Sequence, residues 1–172
     1  MRKVVVVASA SGSGKTTLAR SLAARLGVPF VELDALAHGP GWAERSAEEL
    51  RALVSPLLEL DGWVVDNAYR GKLGDLLLRE ADAVVWVDLP VHVWLPRLLR
   101  RTWRRLRTRE ELWNGNRETV RGVLLGRDAL VWWALRNAPR RRRAYPVELA
   151  PYGLVRLRTR RAVERFLEES RP

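Results

Sequence analysis

The chain has 172 residues, 47% of them hydrophobic, with two histidines and no cysteine. That length suits one compact domain over residues 1–172. The missing thiols exclude a disulfide framework, a thiolate metal site and redox chemistry by the chain's own side chains. The net charge is +11, and because the only lysines are Lys3, Lys15 and Lys72, arginine carries nearly all of it.

An apolar run from Val4 to Ala8 reads as a buried strand. Behind Arg2 and Lys3 it is too short for a signal peptide or a membrane span, so a cytoplasmic protein with no membrane partner is expected. Directly after it comes Ser9-Ala10-Ser11-Gly12-Ser13-Gly14-Lys15-Thr16-Thr17. Strand, small-residue loop, Gly-Lys-Thr and then a helix with Leu18, Leu22 and Leu26 on one stripe form the context of a phosphate-binding loop. Such a loop turns its backbone N–H groups onto a polyphosphate, and the helix behind it aims its positive end at the anion. The expected nucleotide ligands are Ser11, Gly12, Ser13, Gly14, Lys15, Thr16 and Thr17, with Lys15 on the β- and γ-phosphates and Thr16 on Mg²⁺. ATP and Mg²⁺ are thus the expected cofactors. The usual pattern opens with glycine where this chain has Ser9, which would weaken the loop if the backbone there needs a positive φ.

The first helix should run from Lys15 to about Leu26 and stop at Gly27-Val28-Pro29, with a second strand over Phe30–Leu33. Ser46-Ala47-Glu48-Glu49 is a capping box opening a helix with Leu50, Leu53, Val54 and Leu57 inward and a kink or end near Pro56. Trp63–Asp66 is a third strand, Leu73 to about Arg79 a short helix, and Ala83–Asp88 a fourth strand. Near-continuous apolar runs of this kind indicate parallel strands covered on both faces, hence an α/β fold.

From Val91 long arginine-rich helices follow, with Thr108-Arg109-Glu110-Glu111 as another expected capping box and a break at Asn114-Gly115-Asn116. Between Arg97 and Arg143 fifteen arginines face four acids, so this stretch alone accounts for the net charge and the remainder balances. Its tryptophans, Trp94, Trp103, Trp113, Trp132 and Trp133, are expected to pack the helices together. Leu154–Arg158 restores an extended pattern, and a helix from Arg160 to about Glu169 buries Ala162, Val163, Phe166 and Leu167.

Open α/β sheets bind ligands at the carboxyl ends of their strands, and here those ends present Glu32 and Asp34, then Asp66, then Asp88. Asp66 is the expected metal carboxylate. Asp34 is the expected acceptor contact and proton acceptor, because the following loop has Gly39, Pro40 and Gly41 before Trp42. Asp88, before Pro90 and a helix, is expected to be a cap, and His38 a plain loop residue.

These motifs resemble the P-loop small-molecule kinases, including adenylate, shikimate and gluconate kinases. The loop is similar to the Gly-Val-Ser-Gly-Ser-Gly-Lys-Ser of gluconate kinases. Val65-Asp66-Asn67-Ala68-Tyr69-Arg70 resembles the Asp-Gly-Phe-Pro-Arg of adenylate kinases, which assigns Arg70 to the acceptor phosphate. Arg97 and Arg101, one helical turn apart, resemble the arginine pair that contacts nucleotide and phosphates in these kinases and so join Lys15 and Asp34 as catalytic residues. Leu33-Asp34-Ala35-Leu36, Gly41-Trp42, Trp63 to Asn67 and Asn116-Arg117-Glu118 together resemble adenylate-kinase-related proteins labelled DNA topology modulation proteins. The resemblance implies a P-loop NTPase three-layer sandwich, a five-stranded parallel sheet ordered 2-3-1-4-5, and an arginine-rich helical lid at about residues 97–143. It also places Arg158 against the nucleotide base.

The leading expectation is an ATP-dependent phosphotransferase, acting on a small-molecule hydroxyl or a nucleoside monophosphate, as a monomer or homodimer. A nucleic-acid-associated ATPase using the basic insertion is the alternative, because arginine interleaved with tryptophan also suits nucleic acid. A GTPase switch fits poorly, since the guanine-reading Asn-Lys-x-Asp is missing from the sequence.

Overall fold

The computed structural model describes residues 1–125 and 129–170. Five parallel strands form one sheet in the order β2-β3-β1-β4-β5, the order implied by the family resemblance. They are β1 (Lys3–Ala8), β2 (Phe30–Glu32), β3 (Trp63–Asp66), β4 (Ala83–Val87) and β5 (Leu154–Leu157). In register, Val5 lies opposite Val65 on one side and Val84 on the other. Glu32 lies opposite Asp66, so the acidic residues of neighbouring strands meet at the carboxyl edge.

The alternation of a strand's side chains divides β1 between two cores. Val5 and Val7 pack with Leu50, Val54 and Leu57 of α3 (Ala47–Leu58), while Val4, Val6 and Ala8 pack with Leu18, Leu22 and Leu26 of α1 (Lys15–Leu26). Ala162, Val163, Phe166 and Leu167 of α9 (Arg160–Glu169) cover the second of these cores. The α3 capping box forms as expected. Glu49 N–H donates to Ser46 Oγ at 3.1 Å, and Ser46 N–H donates to Glu49 Oε2 at 2.7 Å.

Several expected details change. Leu33 opens the short helix α2 (Leu33–Ala37) instead of ending β2. Pro56 lies within α3, which continues to Leu58, and Leu53 points outward at 45% exposure. The expected helix over Leu73–Arg79 is two pieces, α4 (Arg70–Leu73) and α5 (Leu76–Glu80), separated at Gly74 with φ of 60°. The proposed capping box at Thr108 is a helix end. There α6 (Val91–Thr108) stops at Arg109 in the left-handed region, and Thr108 Oγ1 donates back to the Arg104 carbonyl.

The insertion comprises α6, α7 (Val120–Val123) and α8 (Leu130–Glu148). Residues 126–128 of the expected lid, including Arg127 and Asp128 of the charge count, lie outside the described residues. Trp94 and Leu98 of α6 join Val123, Val131, Ala134 and Ala138 in a third core that includes Ala10 of the phosphate loop. The core role expected for the insertion's tryptophans holds for Trp94 only. Trp103, Trp132 and Trp133 are exposed, and Trp113 faces a cleft.

Candidate active site

The loop after β1 curls because two glycines take conformations closed to other residues. Gly12 and Gly14 both have φ of 84°, and Gly14 is the N-cap of α1. At Gly12 the reason is also space, since a Cβ there would lie 2.6 Å from the Trp94 carbonyl and 2.9 Å from the Leu98 backbone nitrogen. Helix α6 therefore rests directly on the phosphate loop. Ser13 closes the turn by donating its hydroxyl to the Ala10 carbonyl at 2.7 Å.

Ser9 is the residue that departs from the usual pattern, and it has no positive φ. It is fully buried, and its hydroxyl accepts from the Trp86 indole N–H at 2.9 Å and donates to Asp88 Oδ1 at 2.8 Å. Asp88 is likewise not the expected cap. Its carboxylate takes Arg142 Nε at 2.6 Å and Arg156 Nη2 at 2.6 Å, and the N-cap of α6 is Pro90.

Residues Ser11 to Thr17 line a cleft of about 1710 Å³ that continues past Glu32 and Asp34 to Tyr69 and the underside of α6. Lys15, Asp34, Arg70, Arg97 and Arg101 all line it. Asp66 lies beneath, fully buried and paired with the Lys15 ammonium. Burial lowers Lys15 to about 8; the carboxylates of Asp34 and Glu32 oppose that shift, and Arg141 and Arg101 add to it. Arg158 is not brought to this cleft. It lines a separate cavity of about 490 Å³ with Asp88, Arg142 and Arg156.

Asp34 has a defined orientation. The Tyr69 hydroxyl donates to its Oδ1 at 2.7 Å and lies 3.3 Å from His38 Nε2. Tyr69 sits at φ of 44° just before α4, and burial, then Asp34, pushes its phenol far above the usual range, so it stays a proton donor. His38 is thereby more than a loop residue, because its ring nitrogen extends the chain from Asp34 and Tyr69. Arg70 is held differently from expectation, with Nε on Asp75 at 2.8 Å and Nη1 on Glu148.

The inserted helices supply a cationic roof to the cleft. Arg101 is held below the ordinary guanidinium value by burial and by Arg105, and its buried Nε has no hydrogen-bond partner. Arg105 is paired with Glu118 at 2.8 Å. Arg141 of α8, which sequence reasoning missed, reaches in from the other side. It donates to the Ala8 carbonyl at 3.3 Å and lies 4.7 Å over the Trp133 ring. Only its membership of the Arg140–Arg143 run marked it, and nothing local distinguishes it from its neighbours.

The segment between α6 and α7 grips the loop after Asp34. Asn116, 3% exposed, donates to the Gly39 carbonyl at 2.9 Å and accepts from Trp42 N–H at 2.9 Å. Asn114 donates to the carbonyls of Ala35 and His38. Neither asparagine was singled out in sequence for this role, because their partners lie more than seventy residues away.

Residues 5–65 match the family model for ATPases associated with various cellular activities. A shikimate kinase of Ruegeria pomeroyi is 31% identical over 121 residues, covering 64% of this chain and 60% of the relative. The chain thus spans about 60% of the length of the curated relative it matches. Among solved structures, a shikimate kinase from Acinetobacter baumannii in complex with shikimate superposes with a TM-score of 0.59 at 17% identity, covering 98% of this chain and 90% of that one. A sugar kinase from Janibacter sp. gives 0.52 at 20% identity, with 98% and 94% covered. No helix among the described residues is long and apolar enough to cross a membrane. In sheet order and phosphate loop the chain has the fold of these P-loop kinases.

Proposed function

We propose that the protein is an ATP-dependent phosphotransferase that moves the γ-phosphate to a hydroxyl of a small molecule. The observation that carries this reading is one cleft lined together by Lys15 on the phosphate loop, an oriented Asp34 and the arginines of α6. Lys15 and Arg101 neutralise charge on the transferring group, where little covalent work is asked of the protein. Tyr69 occupies Asp34 Oδ1 and leaves Oδ2 to receive the proton of the acceptor hydroxyl. The acceptor oxygen bonds to the γ-phosphorus, the bond from that phosphorus to the β,γ-bridging oxygen breaks, and ADP leaves.

A divalent ion fits the residues present. Asp66 Oδ1 is taken by Lys15 while its buried Oδ2 has no hydrogen-bond partner, and Thr16 lines the cleft beside Lys15. Mg²⁺ in such sites takes one or two protein oxygens plus phosphate oxygens, so Thr16 and Asp66 suffice without a wholly protein cage. Bound with ATP, Mg²⁺ would offset charge on the β- and γ-phosphates.

The test is ATP turnover with Mg²⁺ and a panel of hydroxyl acceptors, read as ADP release and as mass gain of the acceptor. Acceptor-dependent ADP with a phosphorylated product is expected. ATP bound normally, with no transfer to any acceptor and hydrolysis stimulated by DNA instead, would sink the proposal.

A further inference from the structure

Beyond Asp34 the cleft continues as a wall of aromatic rings. From the Tyr69 hydroxyl the wall passes to His38, then to Trp42 edge-on at 5.7 Å, then to Trp113 edge-on at 6.4 Å. Trp42 comes from the loop after α2 and Trp113 from the lid tip, so the clasp of Asn114 and Asn116 assembles the wall. Trp42 remains 40% exposed, an indole kept beside the cleft without being covered by the chain itself.

Charge at this end of the cleft runs opposite to charge at the phosphate loop. Arg70 is taken by Asp75 and Glu148, and Arg105 by Glu118 and Glu110. Just outside the lining, Lys72 is taken by Glu44 and Arg117 by Glu111. The exceptions are Arg97 and Arg101 of α6, which line the same cleft as the phosphate loop and have no salt bridge among the described residues. Asp34 has no salt bridge among the described residues and adds its negative charge to the acceptor side. An anionic acceptor would bring further negative charge beside Asp34, where Arg70 and Arg105 are already paired, which disfavours binding it.

We propose that the acceptor is an uncharged ring compound carrying several hydroxyls, a sugar or cyclitol. One ring face would lie on one of the two indoles, Trp42 or Trp113, with the other, set at 87° to it, against the ring's edge, and one hydroxyl would bond Asp34. Ring polyols have an apolar C–H face and a polar rim, which suits indole faces bordered by a carboxylate, a phenol and an imidazole. This inference rests on the phosphotransferase reading above.

The experiment compares neutral hexoses and cyclitols with shikimate, a ring of similar size bearing a carboxylate, and with AMP, each with ATP and Mg²⁺. Turnover of a neutral ring is expected, with shikimate and AMP at least about tenfold poorer in kcat/KM. Trp42→Ala and Trp113→Ala should each raise the acceptor KM about tenfold and leave the ATP KM unchanged, with Trp42→Phe restoring most of the loss. Preferred turnover of AMP or shikimate overturns the acceptor assignment while the phosphotransferase reading stands. An unchanged acceptor KM in Trp42→Ala and Trp113→Ala overturns it as well. Failure of every acceptor, with ATP bound normally, overturns both.

Discussion

Replacing Ser9 by glycine restores the usual first residue of a phosphate-binding loop, and on this structure it harms the protein. Ser9 has no positive φ, does not line the cleft, and uses its hydroxyl to join Trp86 to Asp88. Ser9→Gly removes a hydrogen bond to a carboxylate and leaves the fully buried Trp86 indole N–H without its partner. An unsatisfied buried donor costs about 1–3 kcal/mol, and the greater freedom of glycine in the unfolded chain adds roughly 0.5–1 kcal/mol. The sum, about 1.5–4 kcal/mol, corresponds to a fall in Tm of roughly 3–16 °C for a domain of this size. Thermal unfolding of Ser9→Gly and Ser9→Ala separates the two contributions, since alanine loses the hydroxyl but not the Cβ. Nucleotide affinity, measured by calorimetry, should not improve in either variant. A Ser9→Gly protein that melts with the wild type, or that binds ATP more tightly, would refute this account.

Lys15 gives a pH signature. Its folded value, lowered to about 8, lies below the ordinary 10.5, so between these values the unfolded chain holds more protons and folding stability rises with pH. ATP binding needs the ammonium, so over the same window affinity should fall, approaching tenfold per pH unit; parallel slopes in denaturant and binding titrations would contradict this. Asp34→Asn should lower kcat by about 10²–10⁴. Tyr69→Phe should lower it by roughly tenfold or more with the ATP KM unchanged, and a rise in ATP KM alone would remove Tyr69 from the acceptor side. Gly12→Ala and Gly14→Ala should differ although both glycines sit at φ of 84°. At Gly14 nothing lies within 4 Å of an added Cβ and only backbone strain of about 1–2 kcal/mol arises, whereas at Gly12 the Trp94 carbonyl is 2.6 Å away. Equal melting temperatures for the two would be inconsistent with α6 resting on the loop.

What sequence could reveal was what short-range physics controls. The apolar runs of β1, β3 and β4, the glycines before Lys15, and the Ser46–Glu49 box each depend on neighbours within a few residues, and each formed as expected. That Asp34 lines the cleft was legible because it follows a strand at the edge where open sheets bind ligands. The failures share the opposite property. Thr108-x-x-Glu111 has the letters of a helix start, but α6 already runs through Thr108, and a local pattern cannot report a helix arriving from behind. Tyr69 was quoted only as part of a motif, and its role depends on Asp34, thirty-five residues earlier. Arg70 lines the cleft, but its partners there are not visible locally, because Glu148 reaches it from the far end of α8.

Ser9, Asp88, Arg142 and Arg141 together explain why the phosphate loop tolerates its unusual first residue. Ser9 holds Asp88, Asp88 holds Arg142 on α8, and the next residue, Arg141, donates to Ala8 immediately before Ser9. The chain closes on itself, so the base of the phosphate loop and the returning helix of the lid share one buried carboxylate. Asp88 is 3% exposed and takes two guanidiniums, so an uncompensated loss of it would leave buried positive charge beside the nucleotide site. A glycine at position 9 offers no hydroxyl to this arrangement. The Ser9 side chain thus serves the α8 side of the molecule rather than the phosphate side, and the departure from the usual loop pattern marks where the phosphate loop is joined through Asp88 to α8.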